Sequence, residues 1–145
     1  MEKKSLVRLI DEIFIPLGFK KRGYAWIYNE KDLSKTMELE RSGGNSFHIN
    51  FGYIIKGLEL TSNHHVSNRL SGKDRDEQLL INQLLNLDSP VKPAERLAEL
   101  KRLIDMQVVG QFNAIHSQND LYNELNSRTH LNNVPMIVQE YFNFR

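Results

Sequence analysis

Residues 36 to 55, TMELERSGGNSFHINFGYII, carry two alternating runs on either side of Ser42, Gly43, Gly44 and Asn45. Apolar side chains recur at Met37 and Leu39, then at Phe47, Ile49, Phe51 and Tyr53, a period of two that specifies half-buried strands joined as a hairpin. The opposite face of the same strands carries Glu38 and Glu40 on one and His48 and Asn50 on the other. A simple two-residue turn at Gly43 and Gly44 would set Glu40 opposite Phe47 and Leu39 opposite His48, mixing the two faces, because a slip of one residue turns every side chain over. An odd-length loop or a glycine bulge instead pairs Glu40 with His48, Leu39 with Ile49 and Glu38 with Asn50. The sequence predicts that register.

The flanking segments supply the rest of the sheet and its helices. Leu6, Leu9, Ile10, Ile13 and Phe14 fall at helical spacing, and Pro16 with Gly18 supplies the stop, so a first helix runs from Lys3 to Ile15. Gly18 and Gly23 bracket Phe19 to Arg22, and Ala25 to Tyr28 carries Trp26 and Tyr28; these are two short strands or one bent one. Asn29 to Ser34 makes the turn into the hairpin. After Gly57, Asn63 to Leu70 reads as a further strand on which His65, Ser67 and Arg69 share one face and His64 and Val66 the other.

Gly72 to Asp76 is a charged turn, and residues 77 to 87 bury Leu80, Ile81, Leu84 and Leu85 as a second helix or a strand-to-helix boundary. Pro93 opens a helical stretch with Leu97, Leu100, Ile104, Val108, Phe112 and Ile115 on one stripe, which Gly110 kinks without ending. Asn119 or Asp120 caps a short helix through Leu125. Pro135 begins MIVQEYFNF, which has helical and extended character, with helix preferred.

A helix, four or five consecutive strands and then several helices, with no regular alternation, indicates α+β. The expected architecture is an antiparallel sheet of four to five strands covered on one face by the N-terminal helix and the C-terminal helices. The other sheet face is then solvated or forms a groove. No repeat or linker divides residues 1–145, so one domain with one core is expected.

Composition removes several function classes. The chain has no cysteine, which excludes disulfides, thiolate nucleophiles and cysteine-based metal sites and leaves the cytoplasm as the default compartment. No run of 18 or more apolar residues is present, and the amphipathic N-terminus contains acids, so neither membrane insertion nor secretion is supported. A net charge of +1 creates no global field for nucleic acid. The local cluster Lys20, Lys21 and Arg22 would need Tyr24, Trp26, Tyr28, Phe51 and Tyr53 exposed beside it to stack bases, and alternation makes most of those aromatics core.

Motif spacing is equally restrictive. Adjacent strand residues such as His64 and His65 point to opposite faces and do not share a metal easily, and no HExxH, GxSxG or GxxxxGK pattern occurs. His116 and His130 read as ordinary polar or capping positions. No metal or cofactor is expected.

Five segments carry a family resemblance: LGFKKRG at 17–23 after the first helix, the aromatic strand that follows it, LERS at 39–42, INFG at 49–52, and HVSNRL at 65–70 followed by an Asp. In their order and spacing over roughly residues 1–80 the chain resembles a bacterial family known as domain of unknown function 4304. Glu40 stands where that pattern has Gln. Asp74 or Asp76 is followed by Gln78, Leu79 and Leu80 where the pattern has paired tryptophans. The resemblance implies a bacterial, cytoplasmic α+β protein and supplies no activity.

The candidate binding residues are therefore Glu38, Glu40, His48 and Asn50, joined by His65 and Arg69 if the later strand pairs beside the hairpin. Carboxylate, imidazole, amide and guanidinium together can bind an anion, and an imidazole oriented by a carboxylate can also run acid–base chemistry. The leading expectation is a noncatalytic binding protein whose exposed sheet face or edge recognises another protein or a small polar ligand, with an immunity or antitoxin-like role as one version. The competing expectations are a small hydrolase or nuclease using His48 or His65 with Glu40 and Arg69, and a weak nucleic-acid binder.

Overall fold

A computed structural model describes residues 1–144. Helix α1 (Lys3–Phe14) leads into five strands, β1 (Lys20–Arg22), β2 (Ala25–Asn29), β3 (Leu33–Gly43), β4 (Ser46–Ile55) and β5 (Val66–Arg69). The strands form one antiparallel sheet in sequential order, so the fold is α+β as the element order predicts. Each hairpin places neighbouring strands side by side.

The central hairpin has the predicted register: Glu38 pairs with Asn50, Leu39 with Ile49 and Glu40 with His48. The extra residue is absorbed by a bulge between Arg41 and Gly43, and Gly44 takes a φ of +53° that an L side chain seldom adopts. The Arg41 guanidinium donates to the Gly44 carbonyl and lies over the Phe47 ring, holding the turn closed. Met37, Leu39, Phe47, Ile49, Phe51 and Tyr53 all enter the core.

Helices cover that face. Helix α1 buries its predicted stripe of Leu6, Leu9, Ile10, Ile13 and Phe14. Helix α2 (Arg75–Leu85) starts inside the predicted charged turn, because the Asp74 carboxylate accepts the Glu77 N–H at 2.8 Å and caps it. Ile81, Leu84 and Leu85 are buried there, whereas Leu80, expected in the core, is 36% exposed.

The long apolar stripe forms α3 (Pro93–Ile104), a π-helical segment (Asp105–Val109) and α4 (Gly110–Ala114) without a break. The irregularity expected at Gly110 is thus a wider turn just before it. Phe112 of α4 meets Phe14, Phe19, Phe51 and Tyr53 at ring-centroid distances of 6.4, 5.6, 6.0 and 5.8 Å, pinning this helix to both α1 and the sheet.

Helix α5 (Gln118–Asn126) is capped by Ser117, whose hydroxyl accepts the Asp120 N–H at 3.1 Å, and not by Asn119 or Asp120. The Asp120 carboxylate is occupied by the His116 N–H. The C-terminal segment forms a short helix, α6 (Met136–Tyr141).

Two polar devices fix the helical layer. Lys35, buried on the core face of β3, donates to Glu30 at 3.2 Å and lies 3.1 Å from His116 Nδ1, while Gln118 bonds Asp32 and Lys56 main-chain oxygens. The His116 hydrogen bond and the Lys35 charge hold the Glu30 carboxyl below its usual range despite desolvation. These contacts tie the start of α5 to the hairpin ends.

Arg96, 1% exposed, sends its guanidinium to the carbonyls of Gln83, Leu84, Asn86, Ser89 and Val91, closing the C-terminal end of α2. Five carbonyls take the place of a carboxylate there. Replacing Arg96→Met removes the shared donor from all five and leaves those of Leu84, Ser89 and Val91 with no other hydrogen bond among the described residues, so urea unfolding should show a loss of about 3 kcal/mol. Arg96→Lys should recover less than half, because an ammonium has three donors and a shorter reach. A loss under about 1 kcal/mol in Arg96→Met would contradict this role.

Candidate functional site

Because β3 and β4 pair in the bulged register, the sheet face away from the helices collects polar side chains in rows. Glu38, Asn50 and Arg69 form one row across β3, β4 and β5, and Glu40 pairs with His48 beside it. Asn50, only 6% exposed, is the centre of this cluster. Its Nδ2 donates to Glu38 at 3.3 Å and to Glu40 at 3.4 Å, while its Oδ1 accepts from Arg69 Nε at 3.0 Å. Arg69 Nη2 also reaches Glu40 at 3.3 Å. Only an amide can donate to two carboxylates and accept from a guanidinium at once, so Asn50 fixes the geometry of three charged side chains.

Strand β5 completes the row by close packing. A Cβ at Gly52 would fall 1.9 Å from the Val66 carbonyl oxygen, so only glycine lets β5 approach β4 here. The loop before β5 turns back over the same face, where Asn63 Nδ2 donates to Glu38 at 3.3 Å.

These residues form one wall of a groove of about 1050 Å³ that passes the edge of β5. The other wall comes from the helical layer. Gln111 of α4 accepts from the Tyr53 hydroxyl at 2.9 Å and from Asn68 Nδ2 at 3.4 Å, and Arg128 donates to Asn68 at 3.2 Å while pairing with Glu124 at 3.0 Å. Burial, with the nearby Glu124 charge, holds the Tyr53 phenol far above its ordinary range, so it remains a hydrogen-bond donor to Gln111. Gln107, in the π-helical segment, brackets Ser71 by donating to its carbonyl and accepting its N–H.

Of the residues singled out from sequence, Glu38, Glu40, Asn50 and Arg69 line this groove. His48 lies beside it, opposite Glu40, with no side-chain hydrogen bond among the described residues. Partial burial and then the positive charge of Arg69 hold its imidazole below the ordinary range, with Glu40 opposing.

His65 is elsewhere. The strand expected over 63–70 begins only at Val66, and His65, 3% exposed, turns inward. Its Nδ1 accepts the Ile55 N–H at 2.7 Å and its Nε2 lies 2.8 Å from the Glu59 carbonyl, so the ring is the neutral Nε2–H tautomer that staples the 56–65 loop. Its neighbour His64 lines the groove, nearly buried; desolvation lowers its pKa and the Glu38 charge opposes that shift.

The helical wall is absent from the sequence expectations. The spacings Gln107/Gln111 and Glu124/Arg128, each i and i+4, are a local signal that these polar groups lie near one another, and what they face is set by tertiary contacts. Among the described residues no group of three or more His, Asp or Glu is arranged to hold a metal ion, and no helix is long and apolar enough to cross a membrane.

A sequential antiparallel sheet, helices on one face and a polar groove at its last strand define an α+β protein built around a meander. The chain belongs to the family described as Domain of unknown function (DUF4304), whose profile matches residues 10–141. The relationship therefore continues well beyond residue 80, through the helices that build the second wall. Comparison with curated proteins and with solved structures gives no match.

Protonating His48 or His64 is harder in the folded chain than in the unfolded one, so acid favours unfolding through both. Stability from these groups is complete above the ordinary imidazole pKa of 6.5 and declines as pH falls through it. The melting temperature followed by circular dichroism should drop between pH 7.5 and 5.5. His64→Gln should make that drop smaller; an identical drop in this variant would contradict the assignment.

Proposed function

We propose that this chain is a noncatalytic bacterial, cytoplasmic binding protein whose polar groove at the sheet edge receives another protein or a small polar ligand. The observation that carries this reading is the Asn50 cluster, in which one nearly buried amide fixes Glu38, Glu40 and Arg69 before any ligand arrives. Charged groups already held in place recognise a partner at lower ordering cost than mobile ones. The concave shape and the polar lining on both walls support the same reading.

A hydrolytic role has weaker support. His48 lacks a hydrogen-bonded carboxylate to orient it, and both ring nitrogens of His65 are engaged with the main chain. Nucleic-acid binding is also less favoured: Lys20, Lys21 and Arg22 lie on β1, at the sheet edge away from the groove, and Trp26 and Tyr53 are buried. An immunity or antitoxin-like role is compatible with a binding groove and rests on analogy of size and class.

Thermal-shift titration with amino acids, polyamines, sugars, nucleotides and short peptides should find at least one that stabilises the wild-type chain. The same compound should give no shift with Asn50→Leu. Turnover of p-nitrophenyl acetate or bis(p-nitrophenyl) phosphate that disappears in His48→Ala would overturn the noncatalytic reading.

A further inference from the structure

The two edges of the sheet are treated differently. β1 consists of Lys20, Lys21 and Arg22, all exposed, and three consecutive cations discourage another strand from pairing there. β5, with the sequence Val66, Ser67, Asn68 and Arg69, has no proline, and its one charge is drawn back across the sheet to Asn50 and Glu40. The Leu70 N–H donates to the Ile49 carbonyl at 2.8 Å, so in this register Asn68 and Val66 also face β4. The main-chain groups of Ser67 and Arg69 therefore point outward, and they have no partner among the described residues.

The groove runs past these outward groups and has side chains on both faces of the edge, Asn68, Gln111 and Arg128 on one and Glu38, Glu40 and Arg69 on the other. Alternate side chains of an extended peptide require that arrangement. Charge selects the peptide. Glu40 pairs with Arg69 and Glu124 with Arg128, which leaves Glu38 as the groove carboxylate without a cation, bonded only to the amides of Asn50 and Asn63. On a flat sheet a sixth strand would lie about 14 Å from β3. Asn63, in the loop that leads into β5, already reaches Glu38 across this face, so a long basic side chain entering from the β5 side approaches the same carboxylate.

We propose that the free edge of β5 binds an extended peptide as a sixth strand, through the main chain of Ser67 and Arg69, with a basic side chain of the peptide received by Glu38. This rests on the groove being a binding site and specifies its occupant.

The test is a titration of the full chain with a blocked heptapeptide alternating threonine and lysine, followed by amide NMR and hydrogen exchange. Ser67 and Arg69 amides should shift and exchange at least tenfold more slowly. A threonine–glutamate peptide and a version with N-methylated main chain should each bind at least tenfold more weakly, and Glu38→Gln should weaken the lysine peptide threefold or more. Absence of binding at 1 mM, equal binding of the N-methylated peptide, or binding that leaves both amides unchanged would overturn strand addition. If another compound still stabilises the chain in an Asn50-dependent way, the groove survives as a binding site and only the sixth strand falls.

Discussion

The register of the β3–β4 hairpin is the constraint on which the rest of the structure depends. Six apolar side chains from Met37 to Tyr53 enter the core only in this pairing. A slip of one residue on β4 would exchange its buried and exposed faces, and each apolar side chain returned to water costs about 1.5–3 kcal/mol. Cross-strand polar pairs contribute about 0.2–1 kcal/mol each, too little to choose a register against that term. The hydrophobic face therefore sets the pairing, and the bulge at Arg41–Gly43 makes it geometrically possible. The assembly of Glu38, Glu40, Asn50 and His48 on the other face is a consequence.

What turns a polar sheet face into a groove is a second set of independent attachments. Gly52 admits β5 close against β4, which brings Arg69 into the Asn50 cluster and Asn63 onto Glu38. Phe112 fixes α4 to the aromatic core, and Tyr53 orients Gln111 from beneath. The Lys35–Glu30–His116 contacts anchor the start of α5, whose last turn carries Glu124 and whose exit places Arg128 beside it. The π-helical turn lies just before α4 and carries Gln107, so the helical wall joins the β5 exit at Ser71.

Local periodicity and long-range closure differ in how far sequence reveals them. Alternation and the need for one continuous apolar face are sufficient for the hairpin register, and the register in turn brings Glu38, Glu40 and Asn50 together, to which the pairing of β5 adds Arg69. His65 was different because a histidine at a strand end and one folded inward to bond a loop have the same local pattern; the deciding partners, Ile55 N–H and the Glu59 carbonyl, are main-chain groups set by the loop path. Lys35 and Arg96 similarly look like solvent positions until tertiary structure supplies Glu30 and His116 for one and a ring of carbonyls for the other. The second wall depends on contacts such as Tyr53 to Gln111, 58 residues apart, which no local pattern encodes.

The hairpin register can be read directly in solution from cross-strand Hα–Hα nuclear Overhauser effects. With the main-chain groups of Ile49 and Phe51 turned to β5 and that of Leu39 to Tyr24, the pairs Leu39–Ile49 and Met37–Phe51 are the closely spaced, non-hydrogen-bonded ones. Strong Hα–Hα contacts at both pairs are predicted. Contacts from Leu39 to His48 or Asn50 in their place would contradict the register and, with it, the origin of the groove.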